Sequence, residues 1–105
     1  MELVARTHPA YRRWLDSVTD DVALVDGVLY SRDTLPERNE TFEVAEYAPG
    51  YLLIGQGGAG GFVLPADGRP GPVYRVDLGS MREDDFEPLA ETFEEWAQAG
   101  FPVLG

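Results

Sequence analysis

The sequence predicts a single α+β domain, residues 1–105, built on a mainly antiparallel multistranded sheet flanked by helices. Apolar residues recur at helical spacing near both ends of the chain. Between them lie a hairpin and a meander of three or four short strands, whose joints are too brief for the crossover a parallel pair requires. A length of 105 residues leaves room for one core and not two. With 44% hydrophobic residues, among them five Phe, five Tyr and two Trp, the chain is too apolar to remain disordered.

Each element has a local reason. In Thr7–Val18, Tyr11, Trp14, Leu15 and Val18 share one helical face, with Thr7 as a cap, Pro9 in the first turn and Thr19-Asp20-Asp21 as the stop. Val22–Val25 and Val28–Ser31 flank Asp26-Gly27, a pair that supplies the positive φ angles of a two-residue hairpin turn. Asp33-Thr34-Leu35-Pro36 suits the beginning of a helix. The stretch 35–47 shows alternation at Phe42 and Val44 and helical spacing at Leu35, Phe42 and Ala45, so strand and helix both stand open; its Glu content favours helix. Tyr51–Ile54, Gly61–Leu64, Val73–Asp77 and Phe86–Ala90 read as strands, separated by a glycine cluster, a Pro-rich loop and the polar loop Met81–Asp85. Thr92-Phe93-Glu94-Glu95 is a capping box opening a helix that Gly100 closes.

The charge is one-sided. Nineteen acids face eight bases, all of them Arg, for a net −11. It is spread along the chain: residues 1–50 hold ten acids and five Arg, and the remainder nine acids and three Arg. Such a field repels nucleic acid and anionic lipid and attracts basic partners. The absence of cysteine removes disulfides, thiol nucleophiles and Cys-type zinc sites. No apolar run approaches the ~20 residues of a membrane span, and no basic flank followed by an apolar run marks the N-terminus. A cytoplasmic location is the expectation.

Gly55-Gln56-Gly57-Gly58-Ala59-Gly60 spells the G-x-G-x-x-G of a dinucleotide site. That site needs a helix next, to present its N-terminus to phosphate. Here Gly61-Phe62-Val63-Leu64-Pro65 follows, so a tight, bulged turn between two strands is expected. The kinase variant needs a lysine, and the chain has none. His8 is the only histidine and precedes a Pro; no Ser lies in a nucleophile elbow. The acids Asp16/Asp20/Asp21 and Glu83-Asp84-Asp85 with Glu87 lack calcium-loop spacing. The expectation is a protein without catalytic residues, metal or cofactor. Trp14 and Trp96 read as core; Tyr47, Tyr51 and Tyr74 are open between core and an exposed patch.

Several segments together resemble the SUKH superfamily, the group of yeast cell-wall-assembly regulators and bacterial immunity proteins. They are Tyr47-Ala48-Pro49-Gly50-Tyr51-Leu52-Leu53-Ile54-Gly55, the glycines to Gly61, Val73-Tyr74-Arg75-Val76-Asp77, and Leu89-Ala90-Glu91-Thr92-Phe93-Glu94-Glu95-Trp96. Pro9-Ala10-Tyr11-Arg12-Arg13-Trp14-Leu15 is similar to that family's first helix. Gln56 stands where members often carry Asp. The resemblance implies an antiparallel α+β fold and a non-enzymatic role, binding and neutralising a bacterial toxin, often a nuclease.

Three functions are therefore weighed. The first is an immunity protein that neutralises a basic, possibly nuclease, toxin by occupying its cationic surface. Asp84 and Asp85 are then the first candidate contacts, Glu43 and Glu46 the next, and Tyr74 an aromatic anchor. The second is a general intracellular interaction or regulatory domain without a toxin, which a housekeeping gene neighbourhood would favour. The third, remote, is a small nucleotide-binding enzyme using the glycine loop, which a thermal-shift screen with nucleotides would expose.

Overall fold

Six strands run side by side in chain order, each antiparallel to the last, and helices pack against the resulting sheet. The computed structural model describes residues 2–58 and 60–103. Among these, the strands are β1 (Val22–Leu24), β2 (Gly27–Leu29), β3 (Tyr51–Gly57), β4 (Gly60–Pro65), β5 (Val73–Val76) and β6 (Glu87–Ala90). The helices are α1 (Glu2–Ala5), α2 (Pro9–Asp16), α3 (Leu35–Thr41), α4 (Val44–Tyr47) and α5 (Phe93–Gln98), with a 3₁₀ turn at Glu83–Asp85. The expected α+β architecture is therefore the observed one.

Strands β3 and β4 are buried on both sides because their alternate residues serve two different layers. Phe62 faces α5, its ring 5.4 Å from that of Trp96. Tyr11, Trp14, Phe93, Trp96 and Phe101 continue this layer as a chain of edge-to-face and stacked rings. The neighbouring positions, Leu53 and Gly61, face the other way, toward Leu78: a Cβ on Gly61 would lie 2.6 Å from Leu78 Cδ2. Tyr74 pairs with Val63, itself opposite Leu53, and so belongs to this second face.

Several ends are capped differently from expectation. Helix α2 is capped by His8, whose Nδ1 accepts the Ala10 N–H at 3.1 Å; Thr7 instead donates its hydroxyl to the Val4 carbonyl. The helix stops at Asp16, where Ser17 takes the Trp14 carbonyl, so Val18 lies beyond it. In the first hairpin Leu24 pairs with Gly27, so Val25-Asp26 is the loop and Gly27 is strand. The reason is a close approach: Gly27 sits opposite Gly57, and a Cβ there would lie 2.9 Å from the Gly57 Cα. The open stretch 35–47 is helical but broken, α3 ending at Thr41 with Phe42 as its cap and α4 beginning after Glu43, which takes a left-handed φ of 53°. Thr92 caps α5 by accepting the Glu95 N–H at 3.0 Å. At the other end Gly100, at φ 86°, and Phe101 donate to the Ala97 and Trp96 carbonyls, the paired closure that a glycine permits.

One side chain completes the sheet. β2 pairs with only the second half of β3, from Gly55 to Gly57, and then turns away after Tyr30 donates to the Ile54 carbonyl. At Leu53 the partner is Asn39 of α3. Its Nδ2 donates to the Leu53 carbonyl and its Oδ1 accepts the Leu53 N–H, both at 2.9 Å, as an opposing strand residue would. The second Nδ2 hydrogen goes to the Leu35 carbonyl, one turn back. The residue is buried, with both donors and its acceptor oxygen engaged. Asn39→Ala leaves buried backbone groups on Leu53 without partners, each worth about 1–3 kcal/mol. The substitution is expected to lower the unfolding free energy by about 2–4 kcal/mol with an unchanged denaturant slope, read by urea titration. A loss below about 1 kcal/mol would show that the clamp carries little of the stability.

Candidate functional site

The glycine motif is structural. Its residues close the β3–β4 hairpin, with Gly57 paired to Gly60, and strand follows where a phosphate-binding site needs a helix. Gly58 is in the turn; Ala59 lies outside the described residues. The bulge falls earlier, at Ile54, between the Leu53–Val63 and Gly55–Phe62 pairs. Gly55 is required by its neighbours, since a Cβ would come 2.5 Å from the Val28 carbonyl oxygen and 3.1 Å from the Phe62 ring. Gln56 is engaged by its own fold: its Oε1 accepts the hydroxyl of buried Tyr30. Among the described residues no three His, Asp or Glu side chains converge to hold a metal ion.

The candidate contacts cluster around the segment that joins β5 to β6. Asp77 begins it, accepting the Gly79 N–H at 2.7 Å and so tightening the turn. Leu78 then reaches under the sheet, Met81 is buried, and the 3₁₀ turn Glu83–Asp85 returns the chain to β6. On one side of this segment is an open polar cleft of about 310 Å³, lined by Arg75, Asp77, Ser80, Asp85 and Glu87. Within it Arg75 is paired with Glu87 at 2.5 Å. On the other side is a smaller cleft of about 160 Å³, lined by Phe42, Tyr47 and Leu78–Met81. Ser80 belongs to both, so the two clefts adjoin.

This arrangement brings four of the five sequence candidates to one region. Asp84 and Asp85 are exposed on the 3₁₀ turn beside the polar cleft. Glu43, which caps α4, and Glu46 within it are also exposed and adjoin in sequence Phe42 and Tyr47 of the smaller cleft. None of these four carboxylates takes part in an ion pair among the described residues, whereas Arg6, Arg32, Arg38, Arg69 and Arg75 are each paired within the chain. Tyr74 is half-buried. Its ring packs 5.3 Å from Phe86 and 6.1 Å from Tyr51, and Phe86 lies 5.1 Å from Tyr51, a three-ring cluster under the same segment.

Of the three tyrosines the sequence left undecided, Tyr51 is buried, Tyr74 half-buried, and Tyr47 is the exposed one, at 54%. The carboxylates of Glu43 and then Glu46 raise its hydroxyl above the usual phenol range, since both resist a further negative charge. An open aromatic beside two carboxylates had a signal in the sequence, the run Glu43-Val44-Ala45-Glu46-Tyr47, but only the end of α4 at Tyr47 turns the ring outward.

No protein-family model matches the chain, and no curated protein matches it significantly. Among the described residues no helix is long and apolar enough to cross a membrane.

Burial gives the Tyr30 hydroxyl a test of its own. Removal from water raises it to about 12, Arg38 opposing the shift and Asp21 and Glu37 adding to it. A folded pKa above the unfolded value of about 10 means that this stabilisation is whole below pH 10 and is lost as pH rises toward 12. Unfolding free energy is expected to fall across that window, and Tyr30→Phe is expected to flatten part of the fall. Absorbance at 295 nm alongside urea titration reads both. Tyrosines that all ionise near pH 10 without loss of structure would contradict it.

Proposed function

We propose that the protein is a non-enzymatic binding module that neutralises a basic protein, in the first instance a bacterial toxin domain. A nuclease toxin fits this reading, because it must be cationic where it grips nucleic acid. The observation that carries the reading is electrostatic. The chain bears −11, and five of its eight guanidinium groups are held in internal pairs. Carboxylates without an ion-pair partner among the described residues lie on and beside one surface segment, from two separate parts of the sequence. The resemblance of several segments to the SUKH superfamily supports the immunity role within this reading. The cytoplasm is where such a protein would meet its target.

The mechanism is occupation. A surface of unpaired carboxylates steers a cationic partner into encounter and then holds its basic groups away from their substrate. Such pairs contribute more to association rate and partner choice than to final affinity, because each charge must shed water to form them. Tyr74, Phe86 and Tyr51 serve by holding the 77–86 segment firm from beneath.

Co-expression with the toxin encoded beside its gene is expected to restore growth of a sensitive host, and failure to antagonise any neighbouring toxin would overturn the immunity role. With the neutralised toxin in hand, Asp84→Asn/Asp85→Asn is expected to slow association by about two- to tenfold at low salt. The difference should shrink at high salt, and dissociation should change less. Stopped-flow mixing at two ionic strengths reads this, and an unchanged association rate would remove these two residues from the contact.

A further inference from the structure

We propose that the cleft between α4 and the Leu78–Met81 segment is a receptor for one arginine side chain of the partner, its guanidinium lying on the Tyr47 ring and held by Glu43 and Glu46. The inference rests on the binding role proposed above and names the contact within it.

Three features of the cleft select that occupant. The first is size. At about 160 Å³ the cleft falls below the roughly 300–1,000 Å³ of small-molecule and cofactor sites. It suits a single side chain. The second is its wall. Phe42 and Tyr47 supply aromatic surface, Leu78 and Met81 apolar surface, and Tyr47 is more than half exposed although it is a large aromatic. A ring left open at a cleft mouth is the kind of residue that dominates protein interfaces. The third is charge. Glu43 stands one helical turn before Tyr47, whose N–H donates to the Glu43 carbonyl at 3.1 Å, and Glu46 directly precedes Tyr47 in the chain. Among the described residues neither carboxylate is met by a cation of its own chain.

The fold already shows the preference on the other ring of the pair. Arg38 lies over Phe42, its guanidinium carbon 5.8 Å from the ring centre, while its nitrogens hold Glu37. Aromatic face and carboxylate together thus bind a guanidinium within this chain; Tyr47 with Glu43 and Glu46 offers the same combination, and among the described residues no guanidinium lies on it. Arginine fits better than lysine. Its planar head stacks on a ring while its edge donates to carboxylates, and it gives up water more easily than an ammonium does. Glu43 sits at the left-handed break between α3 and α4, directly after Phe42 of the cleft wall.

The test uses the isolated protein and a defined probe. N-acetyl-argininamide is titrated into the isotopically labelled chain and amide shifts are followed, with the lysine analogue and the neutral citrulline analogue in parallel. Saturable shifts are expected at residues 42–47 and 78–81. The lysine analogue should bind more weakly and the citrulline analogue not at all. Tyr47→Ala is expected to weaken the arginine probe by about two- to fivefold, as loss of one exposed cation–π contact implies. Glu43→Gln/Glu46→Gln should weaken it at least as much. Tyr47→Ala must retain the wild-type amide pattern elsewhere, which an exposed side chain allows. Shifts scattered over all acidic surfaces, or equal binding by Tyr47→Ala, would overturn the proposal. The toxin assay separates the two levels. Antagonism that survives Tyr47→Ala undiminished sinks the arginine receptor and spares the binding role. A cleft that takes the probe in a protein that antagonises no toxin keeps the receptor and sinks the immunity role.

Discussion

Strand β2 leaves β3 half-paired, and the rest of the molecule depends on how that gap is closed. A buried strand edge with free N–H and C=O groups is costly, and the usual remedy is a longer neighbour. Here β2 bends away at Tyr30, and one amide side chain from α3 stands in, exchanging two hydrogen bonds with Leu53. This contact joins three levels at once. It satisfies the backbone, it ties α3 to the sheet, and through α3 it sets where Phe42, Glu43 and α4 emerge. The acidic surface is thus an indirect product of a hydrogen-bonding deficit in the core.

Glycine performs the complementary task on the other half of β3. Gly55 and Gly57 face β2 at separations where a side chain would strike the Val28 or Asp26 carbonyl. The same strand is therefore served by bare backbone at one end and by a side-chain surrogate at the other. A motif that spells a phosphate loop is accounted for without any ligand: the strand pairing demands small residues at those positions. Gln56, between two of the glycines, is held by Tyr30.

The two faces of the sheet divide the work. The face under α2 and α5 holds the aromatic chain from Tyr11 to Phe101 and carries much of the core. The opposite face is covered more thinly, by Leu78, Met81 and the Tyr51–Tyr74–Phe86 cluster beneath the 77–86 segment. A segment rich in acids can lie there because its apolar residues, Leu78, Met81 and Phe86, point inward while Asp77, Glu83, Asp84 and Asp85 remain in water. The contrast between a firm underside and a charged, solvated top suits a surface that meets another macromolecule.

Local chemistry in the sequence determined much of this. The Tyr11–Trp14–Leu15 stripe, the Thr92 cap with its Gly100 stop and the antiparallel order of the strands all rest on signals within a few residues, and they are found as read. So does the electrostatic character, which needs only a count. Strand β5, by contrast, forms without the alternation its sequence suggests, Val73 and Val76 being buried and Tyr74 and Arg75 between them half-buried. The tertiary structure decided what depends on residues far apart in the chain. Asn39 read as one polar residue in an ambiguous run; its role exists only because Leu53, fourteen positions on, lacks a strand partner. Gly27 belonged to a turn by its dipeptide and to a strand by its closeness to Gly57. Tyr74 and Tyr47 could not be ranked from periodicity, since the first is covered by Tyr51 and Phe86 and the second is left open by the end of α4. Spacing along the chain reports which side of an element is apolar. Which of those sides finds a cover is settled only when the elements meet.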